Sequence, residues 1–544
     1  MPQMTGGDAV AESLIQHGVE KIFGLPGAQL YGLFDAFARR ADKLAVITAR
    51  HEQTCGYMAL GYAKTAARPG VYAVVPGPGV LNTTASLATA YGGNAPVLCL
   101  TGQVPSAFLG RGRGHLHELP DQLATLRLLT KRAERIEHPA EAPATIASVF
   151  QTMLSGRRGP AAIEAPWDFF SATAEVLPQQ PLPPWSPPQP DPRQIENAAA
   201  LLADAAAPMI MVGGGALDAG DAVRELAELV EAPVVAFRSG RGIVGDEHDL
   251  GTSVAAAYKL WPETDVLLGI GTRLEVPCWR WSYMPDGLKI VRIDIDPAEM
   301  RRFAPHVPIV ADAREGAAAL AAELRRRGVR SKRRRARIVE AKREAAHEIE
   351  KVQPQMAFLK AIRDVLPRDG IFAEELSLVG FTSIFGFPIY SPRTFLTSGY
   401  QGTLGSGFPM ALGAKVAAPE RAVVSVTGDG GFMFAAQELA TAVQYGIAVV
   451  TIVFNNNAFG NVRRDQQNLF DGRVIGADLV NPDFVKLAES FGVSAERART
   501  PEELRVSLER AFAADEPYLI EVPIERGSEV SPWEFLQPPP PKRR

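Results

Sequence analysis

Residues 422–456 read AVVSVTGDGGFMFAAQELATAVQYGIAVVTIVFNN, and the order of features in this stretch decides the fold. AVVSVT is an apolar run of strand length that stops at Gly428-Asp429-Gly430-Gly431. FMFAAQELATAVQYG follows with the composition of a helix, closed by Gly446 where a C′ glycine belongs. IAVVTIVF then predicts a second buried strand, ending in asparagines at 455 and 456. Strand, turn, helix and strand form a βαβ unit, so the two carboxyl ends open on one edge of a parallel sheet. Free backbone N–H groups at a glycine turn attract an anion. A carboxylate in that position is out of place unless a cation lies between it and the anion. Asp429 therefore points to a divalent ion bridging carboxylate and phosphate, and Asn456 offers an amide oxygen of the kind magnesium accepts.

Working outward, 544 residues with 46% hydrophobic and 22% charged side chains exceed what one hydrophobic core organises. The net charge of −4 gives no electrostatic footprint for nucleic acid, so a small-molecule partner is expected. Cys55, Cys99 and Cys278 form no CxxC pair, which suggests neither a disulfide framework nor a zinc site. The N-terminus lacks a secretory pattern, and the apolar runs are far short of the roughly 20 residues that span a bilayer. A cytoplasmic protein without membrane or nucleic-acid partners is the expectation.

Two compositional breaks divide the chain. LPQQPLPPWSPPQPDP, residues 177–192, is too proline-rich for helix or central strand and reads as an extended tether. The charged stretch 326–355 reads as a solvated connecting helix. They leave segments 1–176, 193–325 and 356–544, each alternating short apolar runs with helical patterns. KLAVITAR, VYAVVP and PVLCLTG in the first, PMIMVGGG, PVVAF, DVLLGIGTRL and KIVRIDID in the second, and GIFAEE, RTFLTS and YLIEVPI in the third read as strands. The expected fold is α/β, three parallel-sheet domains.

The GDG turn followed by NN at this spacing resembles the thiamine diphosphate (ThDP) enzymes, in the group of acetolactate synthase large subunits, benzoylformate decarboxylases and benzaldehyde lyases. The resemblance spans essentially the whole chain. It implies a pyrimidine-binding domain at 1–176, a central domain at 193–325, and a diphosphate- and magnesium-binding domain with a C-terminal tail at 356–544. Asp429, Asn456 and the carbonyl of Ala458 would hold Mg2+, and Gly428, Gly430 and Gly431 would receive the diphosphate. Glu52, in LAVITARHEQTCGYMALGYAKT, would activate the cofactor through its aminopyrimidine, and Asn82 lies in the downstream VVPGPGVLNTTASLATAY that continues the pattern. In TSGYQGTLGSGFPMALGAKVA, Leu404 would support the bent cofactor and the Gly402 carbonyl would accept its amino group. Ser377, in EELSLVG, is a further candidate for the diphosphate. Because the glutamate of one subunit serves the diphosphate of another in this family, a homodimer is the implied minimum and a homotetramer the expected assembly.

Substrate choice is less legible. LTGQVPSAFLG, GTRL and IDIDP look most like acetolactate synthases, which implies a 2-oxoacid decarboxylase and carboligase. Asp465 replaces the usual tryptophan beyond NN, and Pro277 the second arginine after ARF. GTSVAAA stands in place of a GMHG-like stretch, so bound FAD is not expected, and the glycines at 213–215 do not by themselves indicate NAD. Gln29 and His117 are the residues expected against the reacting adduct: an imidazole titrates near neutrality and suits proton transfer. Arg111 and Arg113 read as exposed loop charges, and Trp533 with Phe535 as a lid or a docking contact. The alternatives are a carbon–carbon lyase on 2-hydroxy ketones or 2-hydroxyacyl-CoA, and a non-catalytic ThDP-binding subunit, against which Glu52 argues.

Overall fold

A computed structural model of the chain describes residues 2–329 and 333–540. The first residue, residues 330–332 within the expected basic linker, and 541–544 at the end of the tail lie outside the described residues. Three six-stranded sheets follow one another along the chain. The first holds β1 (Lys21–Gly24), β2 (Ala45–Ile47), β3 (Gly70–Val74), β4 (Val97–Gln103), β5 (Arg132–Arg135) and β6 (Ala161–Pro166), in the spatial order β2-β1-β3-β4-β6-β5. The second holds β7 (Pro208–Val212), β8 (Val234–Ala236), β9 (Gly251–Thr252), β10 (Val266–Ile270), β11 (Lys289–Asp294) and β12 (Val307–Val310), ordered β9-β8-β7-β10-β11-β12. The third holds β13 (Ile371–Glu374), β14 (Phe395–Leu396), β15 (Val423–Gly428), β16 (Val450–Asn455), β17 (Ser494–Arg497) and β18 (Tyr518–Pro523), ordered β14-β13-β15-β16-β18-β17. Every pairing inside these sheets is parallel, as the alternation of strand-like and helix-like runs predicts.

The first and third sheets share one strand order, whereas the central sheet has the 3-2-1-4-5-6 order of a doubly wound nucleotide fold. Strands β5 (RAER) and β17 (SAER) escape a reading based on apolar runs. Both are edge strands, which need not be apolar on two faces. The expected helix after the GDG turn is a correction. Asp429–Phe432 forms one short turn, Ala436–Glu438 a 3₁₀ turn, and only Leu439–Tyr445 is a regular helix, ending at Gly446 with φ 59°. Phe434, Ala435 and Glu438 each bond three residues back, and the buried Glu438 carboxylate is committed to the N–H of Arg50 and the hydroxyl of Thr441. The charged stretch is also less solvated than its composition suggests: Arg335–Ile349 buries Ile338, Ala341, Ala345 and Ile349.

The first and third sheets meet through two helices, Glu52–Ala66 and Gly407–Ala417, whose contact is the densest between any two elements. A Cβ on Gly61 would overlap the Met410 carbonyl, and one on Gly413 would overlap the Met58 carbonyl. Reciprocal glycines thus let the two backbones touch, and one apolar cluster runs from Tyr72 and Leu60 through Met410 and Phe408 to Ile371. Since nothing flexible lies in the way, Gly61→Ala or Gly413→Ala is expected to lower stability by about 1–3 kcal/mol, the usual cost of overpacking. Urea or thermal unfolding reads this directly. An unchanged midpoint in both variants would mean that the helices separate without penalty.

Candidate active site

Two polar clusters occupy the carboxyl edges of the first and third sheets. In the third, β15 ends at Gly428 opposite Phe454 of β16, so Asp429 and Asn456 emerge side by side as the βαβ reading requires. Asp429 is 2% exposed. Its Oδ2 accepts from the N–H of Ala458 at 3.2 Å and from Nδ2 of Asn481 at 2.7 Å. Burial raises its carboxyl above the usual range, with the bond from Asn481 opposing. Among the described residues no lysine, arginine or histidine forms an ion pair with it. The Ala458 N–H also donates to Oδ1 of Asn456 at 3.1 Å, so both side-chain oxygens converge on one point. Among the described residues no group of three His, Cys, Asp or Glu gathers as a metal cluster. A buried carboxylate, an amide oxygen and a main-chain carbonyl are instead the mixed oxygen set that suits Mg2+ completed by phosphate oxygens, and the residues fit that ion.

Ser377 caps the Leu378–Gly386 helix by accepting from the Gly380 N–H at 3.0 Å. Its Cβ lies 3.3 Å from where a side chain on Gly428 would begin, so it stands beside the GDG turn. A Cβ on Gly430 or Gly431 would overlap the Phe459 ring or the Glu375 carboxylate. Sequence reasoning passed over Glu375, although EELSLVG displays it. This fully buried carboxyl accepts from the N–H groups of Gly405 and Gly407 and from the Thr427 hydroxyl at 3.0 Å, while burial raises its pKa. It ties the loop carrying Gly402 and the half-buried Leu404 to the end of β15. Asn481 is the second residue missed, and no local pattern marks it.

In the first sheet, Glu52 opens the Glu52–Ala66 helix and its Oε2 accepts from Nδ2 of Asn82 at 3.0 Å. The turn at residues 75–79 lies against it: a Cβ on Gly79 would sit 3.7 Å from Cγ of Glu52, and one on Gly77 would press on the carbonyl of His117. Gln29, 1% exposed, binds the Leu116–His117 segment that lies against that turn. Its Nε2 donates to the Leu116 carbonyl at 2.8 Å, which leaves Oε1 to face Nδ1 of His117 at 2.9 Å. A carbonyl and an amide oxygen only accept, so Nδ1 carries the hydrogen and Nε2 of neutral His117 is the bare nitrogen. The loop before it is shaped by Glu118, which accepts from the N–H groups of Gly112, Gly114 and His115. Arg111 and Arg113 stand exposed in that loop.

Within one chain, separate hydrogen-bond networks hold the Glu52 group and the Asp429 group. The aromatic tail residues pack inside the chain, Trp533 on Phe381 and Phe535 on Phe385, with ring centroids 5.2 and 5.0 Å apart. A separate cleft lies at the carboxyl edge of the central sheet, lined by Gly214, Gly215, Gly271, Arg273, Asp294 and Arg314. It contains part of the glycine run at 213–215 and none of the residues of the two clusters. No helix of the described residues is long and apolar enough to cross a membrane.

Parallel sheets of this order, with a carboxylate at the edge of the first and a GDG/NN cluster at the edge of the third, go with a class of enzymes that use ThDP to make or break carbon–carbon bonds, and the chain's domain matches and relatives place it there. The chain belongs to the thiamine pyrophosphate enzyme family: residues 4–125 match its N-terminal TPP binding domain, 195–320 its central domain and 379–522 its C-terminal TPP binding domain. It is 35% identical to a "Probable acetolactate synthase large subunit" of Methanocaldococcus jannaschii, over 96% of this chain and 92% of that protein. It is 32% identical to a "Probable 2-ketoarginine decarboxylase" of Pseudomonas aeruginosa, over 95% and 94%, and 30% identical to the acetolactate synthase large subunit of Haemophilus influenzae, over 98% and 97%.

One further network underlies the first cluster and was not legible in the sequence. Buried Gln122 accepts from the Gly77 N–H at 2.8 Å and donates to the Gly102 carbonyl at 3.0 Å and to Glu164 at 2.8 Å, and Glu164 is paired with Arg135. Gln122→Leu would leave the Gly77 N–H without a partner and Oε2 of Glu164 with only the longer bond from Gln103 at 3.4 Å. The expected loss is about 1–3 kcal/mol, measured by denaturant unfolding; a variant as stable as the parent would show that water replaces the amide at no cost.

Proposed function

We propose that the protein is a ThDP- and Mg2+-dependent 2-oxoacid decarboxylase and carboligase resembling acetolactate synthase. The observation that carries the magnesium part is the buried, cation-free carboxylate of Asp429 converging with Oδ1 of Asn456 on the Ala458 N–H. In this reading Asp429, Asn456 and the Ala458 carbonyl hold the ion, and Gly428, Gly430, Gly431 and Ser377 receive the diphosphate. Leu404 and the Gly402 carbonyl set the cofactor's shape, and Asn82 orients Glu52. When bound, ThDP supplies an electron sink that lets the carboxylate of a 2-oxoacid leave as carbon dioxide. Glu52 would exchange a proton with the cofactor's aminopyrimidine. His117, oriented by Gln29, offers Nε2 as the proton acceptor or donor toward the substrate.

The relative described as a 2-ketoarginine decarboxylase supports a second reading, decarboxylation of a 2-oxoacid with a polar side chain and no ligation. The specific observation favouring it is that Asn461 and Asp465, bonded at 3.2 Å, stand one turn beyond the metal loop where the acetolactate-like pattern has a tryptophan. Carbon dioxide release and product analysis with pyruvate, 2-oxobutyrate, benzoylformate and a guanidino 2-oxoacid separate the readings. Ligated products support the first, aldehydes from the polar acid the second, and cleavage of 2-hydroxy ketones without gas would overturn both in favour of a lyase. Chelation of Mg2+ is expected to abolish the activity and readdition to restore it. Glu52→Gln is expected to lower kcat by about 10²–10⁴-fold, and an unchanged rate would reopen a non-catalytic role.

Two chains are required if Glu52 of one copy serves the Asp429 cluster of another. Support comes from the separate networks of the two clusters and from exposed apolar side chains flanking each: Tyr31, Leu81 and Leu116 around the first, Met433 and Phe434 around the second. Glu52→Gln and Asp429→Ala, each inactive alone, are then expected to recover activity when unfolded and refolded together, because mixed dimers contain one intact site. Recovery that fails, with mixed dimers demonstrated, would place both groups in one chain's site.

A further inference from the structure

An amide is an ambiguous metal ligand, because its oxygen and nitrogen ends are nearly the same size and only one can bind a cation. Asn456 faces that ambiguity, and the C-terminal segment resolves it. After β18 the chain turns back along the end of β16, with the Ile524 N–H on the Asn455 carbonyl at 2.8 Å. Arg526 donates to the carbonyls of Asn456 and Asn457 at 3.3 and 2.7 Å. Oε2 of Glu529 then accepts from Nδ2 of Asn456 at 2.7 Å. With Nδ2 donating to that carboxylate oxygen, Oδ1 is turned the other way and accepts from the Ala458 N–H that it shares with Asp429.

Glu529 is itself held in register. The neighbouring Val530 has its N–H on the Gln353 carbonyl at 3.0 Å and its carbonyl on Nε2 of Gln355 at 2.6 Å. Arg464 donates to the Ser531 hydroxyl at 2.9 Å, and the Trp533 indole N–H donates to Oδ1 of Asn461 at 2.7 Å. Trp533 and Phe535 anchor the segment on Phe381 and Phe385. The tail is therefore fastened on both sides of the carboxylate that touches the proposed ligand.

We propose that Glu529 is a positioning residue for the metal site, holding the Asn456 amide with its oxygen toward Asp429. The inference rests on the reading of Asn456 as a Mg2+ ligand. It goes beyond that reading in making the C-terminal segment a structural part of the metal site, acting through Asn456 and without a metal bond of its own.

The test is Mn2+ binding to the full-length apoprotein in the presence of ThDP, followed by the loss of the free-ion paramagnetic resonance signal, which needs no turnover. Glu529→Met keeps the length of the side chain and removes the carboxylate. It is expected to weaken Mn2+ binding by about 10–100-fold, the usual effect of losing a partner that orients a ligand. Glu529→Gln, which still offers an acceptor oxygen, is expected to retain affinity within about threefold of the parent. If Glu529 acts through Asn456, the double variant Asn456→Ala/Glu529→Met binds no more weakly than Asn456→Ala alone. Parent-like binding by Glu529→Met, equal losses in the Met and Gln variants, or additive losses in the double variant would each overturn the inference while leaving the metal site in place. A parent protein that takes up no Mn2+ overturns the metal reading and the inference together.

Discussion

The burial of Asp429 is the constraint around which the third sheet is arranged. An ionised carboxylate taken out of water without a cation costs several kcal/mol unless its surroundings compensate. Here the compensation comes from neutral donors, the Asn481 amide and the Ala458 N–H, and it is incomplete, since burial still raises the carboxyl's pKa. The neighbouring pieces follow from holding this group in place. Adjacent parallel strands bring Asn456 beside it, glycines at 430 and 431 let Phe459 and Glu375 close in, and Glu375 fixes the Leu404 loop to the same strand end.

The first sheet repeats the strand order of the third and solves a different electrostatic problem with it. Its buried carboxylate, Glu164 on β6, is neutralised by Arg135 on the edge strand β5 and by two glutamines. That network supports the backbone of the Gly77 turn and leaves Glu52, half-buried at the helix start, with one amide partner. One sheet thus presents a half-buried carboxyl group with a single amide partner, and its counterpart presents one locked among donors. The helix crossing at Gly61 and Gly413 joins the two sheets through the helix that begins at Glu52, so the position of that acid is set by a backbone-to-backbone packing contact.

The chemistry-bearing core of this arrangement was legible because it depends on local rules. Strand ends, glycine turns and an acid after a strand are visible in VVSVTGDGG, IVFNN and ITARHE, and the structure places those residues at sheet edges as the patterns require. Legibility failed where the deciding contact lies far away in sequence. FMFAAQELATAVQYG has helical composition, yet its middle is drawn into turns by a carboxylate bonded to Arg50, almost 400 residues earlier. Asn481 reaches its partner from 52 residues away with no motif around it, and Gln122, at the end of HELPDQ, reaches the Gly77 turn 45 residues earlier, a partner the stretch itself does not announce. Trp533 and Phe535 read as a lid or a docking contact because an aromatic pair on a proline-ended tail carries no address; the rings of Phe381 and Phe385 supply it.

Substrate identity is least legible for a related physical reason. The helix Gly460–Leu469, which starts two residues beyond Ala458, buries none of its residues. Core packing therefore imposes no pattern on it, and the family resemblance that fixes sheet and cofactor positions says little about its side chains. Asn461, Arg464 and Asp465 bond to one another and to the tail, not to the core. A change at such a position alters what lies beside Asn456 and Ala458 while leaving the buried contacts of the sheet intact: the strand ends answer to the core, and this helix answers to the tail.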